Sequence, residues 1–368
     1  MSLALVDRRQ VVIVGAGPAG LLTALNLSEA EALVIEASSR PGWPPHCTGL
    51  VSPATARRFG IPEAVTEAYN EAVFLDDKLQ EICRISGSPL AVRLSRPLLE
   101  ELLARRVESH GHRIAYRVKA TALQTDGCIQ LHDGRRVCGE WVVAALGANP
   151  SVAAVFGARN CRYLPGFEVR VRLAARVSDD AFYTIHGWRV APQFFAWVIP
   201  LRGGREALIG VGGDYAVERL AVLMQRLDRM GVVHVSGIVS HRGGRIVEGP
   251  PARHPLAGKL AGIGDVLCAS KPFTGGGLYA VSILARPLAV LLEKGEKRLL
   301  LETWAMLRRE LEAQYLLTRA ARLLQPLWRR ALKVVCSVAA SGRCSIDYDA
   351  HSSLVECLAL WREAGRHG

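Results

Sequence analysis

The chain has 368 residues, with 46 Lys and Arg against 34 Asp and Glu, a formal net charge of +12 and a pI near 9.5. That length accommodates two domains or one domain with a large insertion, and no apolar run is long enough to span a bilayer as a helix. The basic balance suits an anionic partner. No nucleic-acid motif and no basic strip with interleaved aromatics is present, so nucleic acid is set aside. Residues 1–10 lack the charged-then-apolar pattern of a secretory leader, which predicts a cytoplasmic protein. None of the nine cysteines forms a Cys-x-x-Cys pair, which argues against zinc or iron–sulfur ligation. A cytoplasmic chain keeps its thiols reduced. In a hyperthermophile, where intracellular disulfides occur, a structural disulfide such as Cys336–Cys344 is a candidate.

Residues 11–14 (Val-Val-Ile-Val) read as a buried parallel strand, an unbroken apolar run rather than an alternation. The strand ends in Gly15-x-Gly17-x-x-Gly20. A helical run follows over 21–29, then a second apolar strand over 32–35 that ends on Glu36. Each part has a mechanical reason: Gly15 for the tight turn, Gly17 for close approach of a pyrophosphate, Gly20 for helix–strand packing. The helix start offers free N–H groups to phosphates, and Glu36 suits a ribose hydroxyl. This is a dinucleotide site, with FAD and NAD(P) both open at this point.

Residues 38–52 form an irregular, proline- and glycine-rich loop containing His46 and Cys47. It lies where the carboxyl ends of parallel strands face a ligand crevice. Helices are expected over 53–59 and 61–69, then short strands over 73–79 and 81–85. A helix with Pro97 in its first turn covers 96–107. Strands follow at 113–118, 120–125, 128–131 and 136–138, with an Asp133-Gly134 turn between the last two. A separate buried strand, 141–146, runs into Gly147. From 163 to 248 the pattern becomes that of an antiparallel sheet, with strands at 167–175, 182–185, 193–199, 206–212, 235–242 and 244–247 and a helix at 216–230. The expected organisation is a nucleotide-binding domain in three pieces (1–72, 91–160 and 251–298). Substrate-domain strands fall at 73–90 and 161–250, and a helical region at 299–368.

Gly264-Asp265 decides between the cofactors. A carboxylate after a buried strand suits the ribityl chain of a flavin. Pro272 and the Gly275-Gly276-Gly277 turn then open a helix at Leu278, whose N–H groups suit the pyrimidine edge of reduced flavin. A second Gly-Asp site with a glycine turn is not expected in an NAD dehydrogenase.

At this point the sequence resembles the geranylgeranyl reductase family of flavoproteins, with a p-hydroxybenzoate hydroxylase-like fold, over most of residues 10–300. The resemblance rests on the first glycine motif with Glu36, on His46-Cys47-Thr48-Gly49-Leu50-Val51-Ser52, on Phe195-Ala196-Trp197-Val198-Ile199-Pro200, and on Gly264-Asp265 through Gly277. Two places depart from the family pattern. Val266, Leu267 and Cys268 stand where small residues are usual, and Trp-x-Ile-Pro is also similar to flavin-dependent halogenases. The resemblance implies an α/β FAD-binding domain with an inserted antiparallel-sheet substrate domain. It implies FAD contacts from the glycine motif with Pro18 and Ala19, from Glu36 and Ala37, and from Cys47, Thr48 and Gly49. Arg96, Gly147, Gly264 and Asp265 join them, with Pro272, Gly275, Gly276, Gly277 and Leu278. It further implies substrate contacts from Phe195, Trp197 and Pro200, with Cys47 and then His46 as candidates for the proton step. The implied reaction is saturation of C=C bonds in a polyprenyl lipid or prenyl diphosphate. NAD(P)H or a ferredoxin would be the electron donor, and no metal is called for. The alternatives are a flavin monooxygenase or halogenase, and a flavin electron carrier or lipid-binding relative. The Leu- and Arg-rich stretch 315–340 suits peripheral contact with an anionic membrane face.

Overall fold

A computed structural model describes residues 7–45, 47–323, 325–340 and 347–350. In chain order the first half contains β1 (Asp7–Val14), α1 (Pro18–Leu25), β2 (Ala32–Ile35), β3 (Leu50–Val51), α2 (Pro53–Phe59), β4 (Val65–Leu75), β5 (Glu81–Leu94) and α3 (Arg96–Ser109). It continues with β6 (Arg113–Ala115), β7 (Ala120–Leu123), β8 (Cys128–Leu131), β9 (Arg136–Ala144) and α4 (Pro150–Val155). The second half contains β10 (Arg162–Leu173), β11 (Ala181–Ile185), β12 (Ala196–Pro200), β13 (Glu206–Gly212), α5 (Ala216–Arg229) and β14 (Val235–Glu248). β15 (Leu256–Ala257), β16 (Leu260–Gly262), α6 (Leu278–Lys294), α7 (Lys297–Leu323) and α8 (Gln325–Ala340) complete it.

The strands form two sheets, and the fold is mixed α/β. In the first sheet β6, β2, β1, β9 and β16 lie side by side and parallel, with β15 at one edge and the β7–β8 hairpin extending from β9. The chain runs outward from β1 through β2 to β6, then returns to β9 on the other side of β1. That reversal makes a crevice at the carboxyl end of β1, where the glycine motif sits. The continuous apolar strands are buried: Val11, Val12 and Ile13 are 0% exposed, and α1, itself packed on α3 and α6, lies against β1.

The second sheet runs β14–β10–β13–β12–β11–β4–β5–β3 and is antiparallel except for the β11–β4 pair. Alternation along its strands divides the side chains. Val73, Ile185, Val198, Val169 and Ile209 join a core closed by Leu220, Leu223 and Leu227 of α5. Ala72, Phe74, Phe182, Ile199 and Leu208 point to the opposite face, where Leu332 and Cys336 of α8 cover part of it.

Several expectations are corrected. Residues 61–69 carry apolar side chains at helical spacing, yet only a 3-10 turn at Pro62–Ala64 forms. From Val65 the chain is strand β4, because pairing along β5, with register shifts at Val65/Glu67, Tyr69/Glu71 and Phe74/Leu75, gives its backbone hydrogen-bond partners. The two short strands expected after it are one long hairpin, 65–75 with 81–94. The strands expected at 136–138 and 141–146 are the single strand β9. Cys336 pairs with Cys83 of β5, and Cys128–Cys138 and Cys161–Cys268 are also disulfides. Cys344 lies outside the described residues, and Cys47 is the free cysteine among those described. Among the described residues, no helix is long and apolar enough to cross a membrane.

Candidate active site

A cavity of about 1180 Å³ lies between the two sheets, lined by residues of both. At one end is the glycine motif. A Cβ on Gly15 would fall 2.4 Å from the Ala145 carbonyl oxygen, and one on Gly20 would fall 2.0 Å from the Gly15 oxygen, so both sites demand glycine. A Cβ on Gly17 would meet nothing within 4 Å. Gly17 caps α1, so the space beside it opens directly onto the first N–H groups of that helix. Glu36 accepts the main-chain N–H of Ala16 at 2.8 Å and that of Ser38 at 2.7 Å. These bonds fix the carboxylate at the cavity wall and leave acceptor capacity for a hydroxyl. This end of the cavity fits the ADP half of FAD.

Farther along, Gly264, Asp265, Gly275, Gly277 and Leu278 line the cavity. Ser270 Oγ donates to Asp265 Oδ1 at 3.0 Å, and a Cβ on Gly277 would fall 2.8 Å from that same oxygen. Thr274 Oγ1, on the glycine-turn loop, is buried without a hydrogen-bond partner among the described residues, a polar atom suited to a polar group of a ligand. The turn feeds the N-terminus of α6, which suits negative charge on a reduced flavin ring.

Opposite this loop, Cys47 and Thr48 face the cavity. Arg96, at the start of α3, is buried and ion-paired with buried Glu100 one helical turn on, its Nε donating to Oε1 at 3.0 Å. Arg96 also donates to the Cys47 sulfur. Burial disfavours the guanidinium charge, but Glu100 and Cys47 more than offset it, so Arg96 stays a firm cation.

The far wall is aromatic. Phe74, Phe182, Phe194, Phe195, Trp197 and Phe273 line it with Ile85, Leu90, Ile199, Leu332 and Val335. Trp197 lies over Gly210, where any Cβ would strike the indole, and its Nε1 donates to Glu168 Oε2 at 2.6 Å. Glu168 is also ion-paired with Arg242, and both reach the cavity. His186 is stacked among Phe74, Phe195 and Phe273, with ring centres 5.5–6.0 Å away, and its Nε2 lies 3.0 Å from Thr184 Oγ1.

Burial pushes the His186 pKa down to about 4. Its unfolded pKa is the ordinary 6.5, so between these values the unfolded chain binds the extra proton. Stability should therefore be intact above pH 6.5 and fall by about 3 kcal/mol as pH drops toward 4. Urea unfolding at stepped pH checks this, with His186→Gln expected to flatten that part of the profile. An unchanged slope in the variant would assign the effect to other groups.

Of the residues singled out by sequence, Gly15, Gly17, Pro18, Ala19, Glu36, Ala37, Cys47, Thr48, Arg96 and Gly147 line this one cavity. So do Gly264, Asp265, Gly275, Gly277, Leu278, Phe195 and Trp197. Gly20, Gly49, Pro272, Gly276 and Pro200 stand behind its surface. Gly49 packs on the Leu94 carbonyl, Gly276 accepts the N–H of Lys271, and Pro200 accepts the Tyr69 hydroxyl at 2.7 Å. His46 lies outside the described residues. Sequence reasoning missed Glu168, His186, Arg242 and Tyr348. The one legible hint was Glu168, a carboxylate on the strand face opposite Val169 and Val171.

Comparisons with known proteins agree with this architecture. The lycopene cyclase protein family matches residues 10–331. A digeranylgeranylglycerophospholipid reductase of Methanosarcina mazei is 24% identical over 74% of this chain and 72% of its own length. A menaquinone reductase of Mycobacterium tuberculosis is 28% identical over 60% and 59%. Among solved structures, a geranylgeranyl bacteriochlorophyll reductase-like protein of Thermoplasma acidophilum superposes with a TM-score of 0.78 at 15% identity, covering 96% of each chain. A probable FAD-dependent monooxygenase of Pseudomonas aeruginosa gives 0.69 at 19%, covering 89% of this chain and all of its own. The chain thus belongs to the lycopene cyclase protein family, and it is an FAD-dependent oxidoreductase similar in sequence to reductases of geranylgeranyl lipids.

Proposed function

We propose that the protein saturates isolated carbon–carbon double bonds of a polyprenyl chain carried on a lipid or a prenyl diphosphate. The observation that carries this reading is the continuity of the cavity. One space connects the glycine motif, the Cys47–Arg96 contact and a long apolar, aromatic wall. An isoprenoid chain gains about 0.8 kcal/mol per buried CH₂ on such a wall. The names of the reductase relatives support the same substrate class.

Saturation adds a hydride and a proton across the double bond. FAD, when bound and reduced, supplies the hydride. The chain's own residues supply the rest. The wall excludes water and aligns the chain, Cys47 gives up the proton, and Arg96 provides the counter-charge beside its sulfur. Electrons reach the cofactor from NAD(P)H or a ferredoxin. Leu317 of α7 lines the cavity yet is 58% exposed, and Leu316 and Val334 are exposed nearby in the sequence with Arg330 and Lys333. This suits entry of a lipid tail from an anionic membrane face.

Cys47→Ala should retain FAD and lose about 10²- to 10⁴-fold in alkene reduction, the range of a positioned proton donor. The measurement is mass spectrometry of geranylgeranyl lipids incubated with dithionite-reduced protein. Unchanged turnover would remove Cys47 from the mechanism. Oxygenated or halogenated products from the wild type would support the monooxygenase or halogenase reading instead.

A further inference from the structure

The turn at residues 347–350 comes from the far end of the chain, yet it sits between the two loops that flank the flavin site. Asp347 Oδ1 accepts the main-chain N–H of Asp349 at 2.7 Å and of Ala350 at 3.0 Å, which folds the segment tightly around Tyr348. Asp349 is ion-paired with Lys271, and both side chains are 1% exposed. Lys271 directly precedes Pro272 in the glycine-turn loop. The same Asp349 carboxylate accepts the N–H of Ser52 at 2.7 Å and a hydrogen bond from Thr55. Ser52 caps α2 and ends the loop that carries Cys47. One carboxylate therefore joins three chain segments around the site.

Burial opposes the Asp349 charge, but the Lys271 ammonium outweighs it and holds the carboxyl below its ordinary range, so the pair is ionic. A buried ion pair is a poor source of net stability compared with apolar packing of the same volume; what it supplies is a unique geometry. Here that geometry serves Tyr348. Lys271 Nζ lies 4.7 Å from the Tyr348 ring centre and 3.4 Å from its carbonyl oxygen. Phe182, on the aromatic wall, meets the ring edge-on at 5.8 Å. The ring lines the cavity. Burial, then Asp349 and Cys47, push the phenol pKa far up, so the group is neutral; Cys47 lines the same cavity.

We infer that Tyr348 is a specificity-determining residue of this site: its ring closes the apolar cavity beside Cys47 and sets how far an isoprenoid tail can reach, with the Lys271–Asp349 ion pair as the latch that holds it. The inference rests on the polyprenyl reading above. It names the end wall of that site and the uncharged, branched chain that meets it.

The test uses the full-length, FAD-loaded protein with fluorescent farnesyl and geranylgeranyl probes, and fluorescence anisotropy gives the affinity ratio between the two chain lengths. Tyr348→Ala should shift that ratio by about ten-fold or more toward the longer probe, ten-fold being the lower end of the discrimination expected for one methylene in an apolar pocket. Tyr348→Phe, which keeps the ring, should leave it unchanged. Asp349→Asn should move it in the same direction as Tyr348→Ala. If Tyr348→Ala does not fold, Tyr348→Leu and Asp349→Asn carry the same expectation. A ratio that stays constant in folded, FAD-bound variants overturns the proposal. So does a loss of turnover in Tyr348→Phe with probe binding intact, which would make the hydroxyl rather than the ring the working group. If the wild type binds both probes but saturates neither, the reductase reading fails while the ratio still decides the role of Tyr348. If it binds neither probe, both fail.

Discussion

Gly17→Ala should yield a folded protein that no longer retains FAD, with affinity lowered by about 100-fold, or about 3 kcal/mol. Gly17 has φ −83° and ψ −177°, a conformation open to any residue, and its added Cβ would meet no protein atom within 4 Å. The folded chain should therefore lose at most about 1 kcal/mol, the cost of a poorer helix cap. The same empty space gives a pyrophosphate its approach to the first N–H groups of α1, so a methyl there displaces the ligand rather than protein atoms. The flavin absorbance retained by the purified variant, with circular dichroism as the folding control, gives the answer. The contrast is Gly20→Ala, whose Cβ would press to 2.0 Å from a backbone oxygen and should cost the fold itself. Full FAD occupancy in Gly17→Ala would move the pyrophosphate elsewhere.

Loss of the Cys83–Cys336 bond should be the most destabilising of the three disulfide removals. In the chain-entropy account a crosslink stabilises by restricting the unfolded chain, more for a longer loop. A separation of 253 residues corresponds to about 5 to 6 kcal/mol, 107 residues to about 5, and 10 residues to under about 3. Cys336→Ala should lower the thermal midpoint by on the order of 10 °C, Cys161→Ala by somewhat less and Cys128→Ala least. The first also frees α8, whose Leu332 and Val335 line the cavity, so it alone should weaken polyprenyl binding. Calorimetry of the three variants under oxidising conditions checks the order. A reversed order would mean that native packing around each bond dominates over loop closure.

What could be read from sequence was local. The strand–glycine–helix unit at residues 11–36 carries its own signals: an apolar run, three glycines at fixed spacing and an acidic strand end. Gly264-Asp265 with the glycine turn is similarly self-contained. The alternation of strands between 162 and 248 exposed the second sheet, because a half-buried sheet writes its two faces into alternate residues. What was missed depends on contacts between distant segments. Residues 61–69 have helical spacing, and only pairing with residues 91–94 of β5, further along the chain, makes 65–69 extended. The partners of Cys83, Lys271 and Glu168 lie 253, 78 and 74 residues away, beyond any periodicity. His186 follows its strand directly and has no motif around it. Its burial follows from Phe74, Phe195 and Phe273, which come from three separate segments.

The two-faced sheet behind the cavity separates support from selectivity. Along β4, β11 and β12, Ala72, Phe74, Phe182, Thr184, Trp197 and Ile199 meet the cavity, while Val73, Leu75, Ala181, Ile185, Ala196 and Val198 pack on the opposite side. Every second residue can be exchanged to reshape the space offered to a ligand while its neighbours continue to hold the sheet on α5. A protein built this way can drift toward new hydrophobic substrates in single steps, without passing through unfolded intermediates in sequence space. A directed library confined to those six cavity-facing positions inherits the same tolerance.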